Sequence, residues 1–134
     1  MLNVYSRALD GGTPLSPDFL LREFACKDGT DPVFVDSELV ALLQDIRDHF
    51  GRPVVISSAY RTAAHNKAVG GAAYSQHQYG RAADIRISGI GVDELADYAE
   101  TLLEDRGGIG RYHKKGFVHL DVRETKSRWT DERS

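Results

Sequence analysis

The chain has 134 residues, with 41% hydrophobic residues, 17 basic and 20 acidic side chains, and one cysteine. This length fits one domain over residues 1–134, and a net charge of −3 lacks the basic excess that nucleic acids attract, so no nucleic-acid partner is expected. The single cysteine, Cys26, excludes an internal disulfide.

The first residues, MLNVYSRALDGG, have none of the charged start, apolar run and small-residue cleavage site of a secretory signal. No later stretch is long and apolar enough to span a bilayer. We therefore expect synthesis in the cytoplasm and no membrane partner. Work outside the cell would need another route of release, and the expected oligomeric state is a monomer.

The N-terminal segment, residues 1–18, is rich in Gly, Pro and Ser towards its end and is predicted to be an extended arm. A short helical turn is predicted in SPDFLLREF, with Ser16 as its cap and Pro17 at its first position. Residues 36–50 repeat apolar side chains at spacings of three and four, which predicts a helix that stops at Gly51.

The middle and end of the chain alternate between strand and helix patterns. PVVISSAYR, ADIRI, GIGRY and FVHLDVR predict strands, whereas TAAHNKAV and VDELADYAETLLED predict helices. The resulting order predicts an α+β domain with a mostly antiparallel sheet and helices packed on one face. Residues 130–134, beyond Trp129, are expected to be frayed.

Two of the predicted strands carry polar residues on a single face. In FVHLDVR, alternation sends the valine and leucine side chains to one side and His119 and Asp121 to the other. In ADIRI, the isoleucines point inward and Asp84 points outward. We therefore expect His119 and Asp84 to share one face of the sheet, although they are far apart in sequence.

His77, Asp84 and His119 form a candidate metal site. Catalytic zinc typically takes three histidine or carboxylate ligands and leaves a fourth position for water. In SQHQYGRAADIR, the small residues between His77 and Asp84 let the backbone turn closely, so that both side chains can reach one ion. On spacing alone, a hydrogen-bonded pair or a buried polar network without metal is an alternative.

Four motifs, in order, resemble those of one enzyme family. SSAYR is similar to its Ser-Gly-Tyr-Arg stretch, HNKAVGGAAYS to the following link, SQHQYGRAAD to its Ser-x-His-x-x-Gly-x-Ala-x-Asp signature, and FVHLDVR to its last metal-binding strand. The family is that of the zinc D-Ala-D-Ala carboxypeptidases, peptidase family M15, related in fold to the hedgehog signalling domain and the lysostaphin-type peptidases. The similarity extends from about Phe19 to Trp129.

The resemblance implies a Zn²⁺-dependent metallopeptidase that hydrolyses peptide bonds of bacterial cell-wall peptidoglycan at or near D-amino acids, as a carboxypeptidase or as an endopeptidase of the stem peptide or cross-bridge. It implies His77, Asp84 and His119 as the metal ligands. Arg61 matches the family arginine that holds the substrate carboxylate or the oxyanion. Ser75 is predicted to hydrogen-bond within the zinc loop or to substrate. The lack of an export signal and of an attached wall-binding module resembles the small phage-encoded or prophage-encoded members, so release by lysis or carriage on the virion is expected.

One departure from the family pattern concerns the general base. Many members carry a glutamate or aspartate three residues before the last histidine ligand, where this chain has Gly116. Asp121 is the predicted catalytic base, and its alternative role is to orient a ligand or to pair with Arg123. His113 is a second candidate base. The missing acid also leaves open a zinc-stabilised binding or structural module without turnover.

Overall fold

The structure is a computed structural model that describes residues 1–134. The chain forms four α-helices and nine strands, with 3₁₀ helices at Leu21–Phe24 and Gln76–Tyr79. In chain order the elements are β1 (Leu2–Ser6), α1 (Arg7–Asp10), β2 (Pro14–Ser16), β3 (Phe19–Leu20), β4 (Pro32–Asp36), α2 (Ser37–Phe50), β5 (Val55–Ser58), α3 (Ala63–Ala68), β6 (Ala82–Arg86), α4 (Val92–Leu103), β7 (Gly108–Tyr112), β8 (Phe117–Asp121) and β9 (Ser127–Asp131). The predicted α+β class is confirmed.

The main sheet has five strands in the order β5-β6-β8-β7-β9. Every pair is antiparallel except β7 and β9, which run parallel. On one face, Ile85, Val118 and Leu120 are completely buried and join a single hydrophobic core with apolar residues of α2 and α4. The opposite face carries Asp84 and His119 as directly paired residues of β6 and β8. The expectation from alternation is therefore confirmed.

The predicted extended arm of residues 1–18 is wrong. Strand β1 pairs antiparallel with β4 along its whole length, and Ser6 caps α1 by accepting a hydrogen bond from the Leu9 amide. Strands β2 and β3 then form a second small sheet. The partner of β1 lies about thirty residues further along the chain, and long-range pairing leaves no local signature in a segment rich in turn residues.

The predicted helical turn begins later than expected. The 3₁₀ helix starts at Leu21, and the Leu20 amide donates to Glu23 Oε2 over 2.7 Å. Ser16 ends β2 instead of capping a helix, and its hydroxyl donates to Gln44 Oε1 of α2 over 2.7 Å. Burial of Phe19 in the core favours the hairpin over a helix that begins after Ser16.

The C-terminal end is ordered further than the sequence predicts. Fraying from residue 130 is wrong for Thr130 and Asp131, because β9 continues to Asp131 and pairs with β7. Arg128 anchors this strand through Glu100 Oε1 at 2.5 Å and through the Gly107 carbonyl at 2.6 Å. The periodicity of residues within one segment does not indicate that the segment pairs with a distant strand, as β9 does with β7.

The predicted long helix is confirmed as α2, with Asp36 accepting from the Glu38 amide at its N-terminus and Gly51 in a left-handed conformation at its end. With 14 residues it is the longest helix. None of the helices combines the length and the apolar character that crossing a bilayer requires.

Removing the Leu120 side chain should destabilise the fold. Leu120 is fully buried on the apolar face of β8, so Leu120→Ala should lower the free energy of unfolding by about 2–5 kcal/mol through lost burial and a residual cavity. Leu9→Ala, at a side chain that is 86% exposed, should change it by less than about 0.5 kcal/mol. Chemical denaturation measures both; equal effects would contradict this core assignment.

Candidate metal centre

The polar face of the main sheet carries an open cleft of about 540 Å³ that contains the three predicted ligands. Asp84 of β6 lies opposite His119 of β8, and the 3₁₀ helix Gln76–Tyr79 brings His77 to the same place. One ligand atom from each of the three residues lies within 4.8 Å of the other two. The structure thus brings together three residues that the sequence separates widely.

His77 is held in one orientation by its loop. Ser75 Oγ accepts a hydrogen bond from the His77 amide over 3.2 Å and so caps the 3₁₀ helix. His77 Nδ1 lies 2.7 Å from the carbonyl oxygen of Ala59, which can only accept, so Nδ1 carries the proton. Nε2 therefore presents its lone pair towards Asp84. The hydrogen bond of Ser75 within the loop is present, and its contact with substrate stays a prediction.

His119 is oriented by a second carboxylate. Its Nε2 lies 2.7 Å from Asp121 Oδ2, and its Nδ1 lies 3.1 Å from Asp84 Oδ1. The Asp121 carboxylate favours a proton on Nε2, which leaves Nδ1 as the coordinating atom. A carboxylate behind a histidine ligand is the usual arrangement that fixes the tautomer and raises the basicity of the ligand.

The three ligand atoms fit a zinc ion. Zinc bonds of about 2.0–2.2 Å place two ligands of a tetrahedral site about 3.3 Å apart. Asp84 Oδ1 lies 3.3 Å from His77 Nε2 and 3.1 Å from His119 Nδ1. Because the other nitrogen of each ring holds its proton, the facing lone pairs and the carboxylate need a cation between them. One divalent ion satisfies all three residues, and the donor set of two imidazoles and one carboxylate is typical of catalytic zinc.

The carboxylates around the site favour the binding of a cation. Burial acts to raise the pKa of Asp84, but the hydrogen bonds and charge that His119 and His77 supply when they carry protons towards it outweigh burial and hold the pKa well below its ordinary value. Burial acts to lower the pKa of His119, and hydrogen bonds to Asp121 and Asp84 reverse this effect and raise it. The same two carboxylates that stabilise a proton on His119 stabilise a metal cation next to it, and the two compete.

Arg61 lies beside the carboxylate ligand. Its Nη2 is 3.4 Å from Asp84 Oδ2, its Nε donates to Ser58 Oγ over 3.0 Å, and its Nη1 donates to Asn66 Oδ1 over 3.3 Å. Asn66 is buried and donates to the Ala72 carbonyl over 2.8 Å, which ties the arginine to the loop at the rim of the cleft. The guanidinium thus forms part of the cleft wall, next to the metal ligands.

The family profile described as Peptidase M15 matches residues 15–121. The chain belongs to the peptidase M15 family. No curated protein matched the sequence. Membership of the M15 family indicates a peptidase, and the cluster of His77, Asp84 and His119 is compatible with zinc. The match ends at Asp121, the last residue of β8, so the cleft residues contributed by the C-terminal segment lie beyond the part shared with the family profile.

Asp121, the predicted base, occupies a buried position behind His119. Its side chain has no exposed surface and is absent from the cleft lining. Oδ1 accepts from the Gly108 amide at 2.9 Å, and Arg123 binds both oxygens at 2.8 and 2.6 Å. A general base must reach the water that it deprotonates. The placement of Asp121 argues against that role and favours its alternative, orientation of a ligand.

Two glycines of β7 make this arrangement possible, and sequence analysis missed their role. A Cβ on Gly108 would lie 2.1 Å from Asp121 Oδ2, and a Cβ on Gly110 would lie 2.4 Å from the Trp129 ring. Gly110 pairs with His119, so Trp129 can lie across β7 with its ring 4.9 Å from the His119 ring. The available signal was the alternation of glycines in GGIGRY, since glycine inside a strand often marks a close approach.

His113, the second candidate base, lies outside the cleft. Its Nε2 contacts Asp93 Oδ1 at 2.8 Å and its Nδ1 contacts Glu132 Oε1 at 2.6 Å. Both ring nitrogens are therefore engaged by carboxylates on the surface, and the residue is absent from the cleft lining. These contacts join the β7–β8 turn to α4 and to the C-terminal end, and they do not place His113 near the metal ligands.

Asp121→Asn separates orientation of a ligand from base catalysis. If Asp121 orients His119, the variant should lose about 10- to 100-fold in zinc affinity, because an amide cannot hold the Nε2 proton as a carboxylate does. Competition with a chromophoric chelator measures this affinity. Asp131→Asn on β9, which contacts Arg133 and no ligand, is the matched control. Unchanged zinc affinity with lost activity would restore Asp121 as the base.

The contacts of His113 predict a pH-dependent contribution to stability. Hydrogen bonds to Asp93 and then Glu132 raise the pKa of His113 above its ordinary value. The contribution is therefore complete below the unfolded pKa of about 6.5 and is lost as the pH rises through the raised folded value. His113→Gln should lower the Tm at about pH 6 and leave it unchanged at about pH 9. His65→Gln, at a histidine without an acidic partner, is the control; equal losses at both pH values would contradict the assignment.

Proposed function

We propose that the chain is a zinc-dependent metallopeptidase that hydrolyses peptide bonds of bacterial peptidoglycan at or near D-amino acids. The observation that carries this proposal is the convergence of His77 Nε2, Asp84 Oδ1 and His119 Nδ1 within an open cleft. The protein contributes three ligand atoms there, the number that catalytic zinc sites use. Membership of the peptidase M15 family supports the same chemistry.

The residues around the ligands have separable tasks. Zinc in such a site polarises a carbonyl and lowers the pKa of water towards about 7. Arg61 presents a planar fork of donors beside Asp84, suited to a substrate carboxylate or to the charge that develops on the scissile carbonyl oxygen. Ser75 holds the loop of His77 and lines the cleft, where its hydroxyl is available to substrate.

The proposed setting is the bacterial cell wall. A soluble stem peptide, a cross-bridge or the intact sacculus is the candidate substrate, cut by carboxypeptidase or endopeptidase action. Release by host lysis or carriage on a virion, as in the small phage-encoded members that the chain resembles, is the proposed route to the wall. The cleft is open to solvent, which is compatible with a peptide that forms part of a larger network.

A second candidate function is a zinc-stabilised binding or structural module without turnover. The observation that favours it is the absence of a free carboxylate in the cleft: Asp84 is the one acidic residue that lines it, and Asp121 is buried behind His119. Gly116, at the position of the usual acid, lies in the turn between β7 and β8 with a positive φ of 77°. In this case zinc contributes stability but no hydrolysis.

Incubation of the zinc-loaded chain with purified muropeptides, with and without a chelator, tests the two functions. Hydrolysis that stops with chelator and returns with added zinc is the expected result, and mass spectrometry of the products identifies the bond. Intact muropeptides together with a Tm that falls on chelation would favour the structural module. A chain purified without zinc, and without affinity for it, would refute both.

Arg61→Lys should slow the reaction without removing the metal. Lysine keeps the charge but loses the donor fork, so kcat should fall by about 10²- to 10³-fold, the effect of removing one oxyanion donor. Zinc content, measured by elemental analysis, should be unchanged because Arg61 is not a ligand. Arg86→Lys, at an exposed arginine of β6 outside the cleft, is the control. Equal kinetics for both variants would remove Arg61 from the reaction.

A further inference from the structure

The cleft has the opposite charge to the chain as a whole. The protein carries a net charge of −3, yet four cationic side chains line the cleft and Asp84 is its one acidic residue. The cations are Arg61, Lys115, Arg123 and Arg133. Carboxylates compensate the three arginines, so the positive charge left to attract a ligand of the opposite sign is that of Lys115.

Lys115 differs from the three arginines because no carboxylate lies within ion-pair distance of it; its charge helps to lower the pKa of Asp131, which Arg133 already binds. Arg61 faces Asp84, Arg123 binds Asp121 and Arg133 binds Asp131. Lys115 forms no ion pair or hydrogen bond, and its Nζ lies 5.9 Å from the centre of the Tyr112 ring. Its charge is thus available to a ligand in the cleft.

An aromatic surface connects Lys115 to the metal ligands. The Tyr112 and Phe117 rings stack with centroids 4.4 Å apart, and Trp129 Nε1 donates to the Tyr112 hydroxyl over 3.0 Å. The Trp129 ring lies 4.9 Å from that of His119. Aromatic surfaces of this kind bind peptide at a low entropic cost because they are rigid.

The strand directions place this surface at the end of the cleft opposite Arg61. Strands β5 and β8 are both antiparallel to β6 and therefore run in the same direction. Arg61 follows the C-terminal end of β5, whereas the turn with Lys115 precedes the N-terminal end of β8. Phe117 lies two residues before His119, about 7 Å along the strand, which is the length of two residues of an extended peptide.

We propose that Lys115, with the aromatic surface of Tyr112, Phe117 and Trp129, forms a subsite for an acidic residue of the substrate, about two residues from the reacting bond on the side away from Arg61. That the ligand is a peptide follows from the proposed function, on which this subsite therefore rests. It assigns a specificity role to the C-terminal strand β9, because β9 supplies Trp129 and lies outside the matched residues 15–121.

Trp129 is the only tryptophan of the chain, so intrinsic fluorescence reports binding in the cleft independently of hydrolysis. The probes are two synthetic peptides that differ only in one group, a free carboxylate or a carboxamide two residues from the bond. The zinc-loaded wild type should bind the carboxylate more tightly. Lys115→Gln should weaken binding of the carboxylate peptide by about three- to tenfold and leave the carboxamide unchanged.

Lys114→Gln is the matched control, since it removes the same charge from the same turn at a residue outside the cleft lining. It should keep the preference for the carboxylate. Equal affinity of the wild type for both peptides, or equal losses in the two lysine variants, would overturn the subsite. A preserved preference without any cleavage of either peptide would refute the hydrolase function and still support the subsite.

Discussion

The antiparallel pairing of β6 with β8 is the constraint on which the site depends. It places Asp84 opposite His119 on one face of the sheet while Ile85, Val118 and Leu120 enter the core on the other. A slip of one residue would turn every side chain of the strand to the wrong face, burying His119 and exposing leucine and valine. Burial of the apolar side chains in the core therefore fixes the strand register. This register places the candidate metal ligands Asp84 and His119 next to each other.

The residues that surround His119 depend on two positions of β7 that have no side chain. Gly108 and Gly110 leave space that the Asp121 carboxylate and the Trp129 indole fill on either side of His119. Asp121 in turn is held by Arg123 and by the Gly108 amide, so two neighbours determine its orientation towards His119. Asp121 therefore lies behind the candidate ligand His119 and does not line the cleft, although alternation places it on the same face of β8.

The sequence predicted the features that depend on residues close together in the chain and missed those that depend on contacts between distant segments. Apolar spacing in α2 and alternation in β6 and β8 are local, and they predicted the helix, the strands and the shared face of Asp84 and His119. The pairing of β1 with β4 and of β9 with β7 joins distant segments through backbone hydrogen bonds, which any sequence can make. The burial of Asp121 depends on Gly108 of the neighbouring strand β7, which leaves space for the carboxylate, so the alternation of β8 alone could not reveal it.

In the proposed function, a metal site and a peptide site share one surface of the cleft. The buried carboxylates of Asp84 and Asp121 each contact a histidine and an arginine. The negative charge of each carboxylate is thus compensated from two sides. A divalent cation at the histidines adds positive charge to a region whose arginines are already paired. In the proposed function, the cleft would then have uncompensated positive charge at two places, the metal and Lys115, and would disfavour basic peptides. Lys115 lies in the turn two residues before Phe117, the first residue of β8, so the two charges lie at different points along the cleft. Under the proposed subsite, a substrate would place its negative group towards that turn and its reacting carbonyl at the metal, and selectivity for one bond of an acidic peptide would follow from this order.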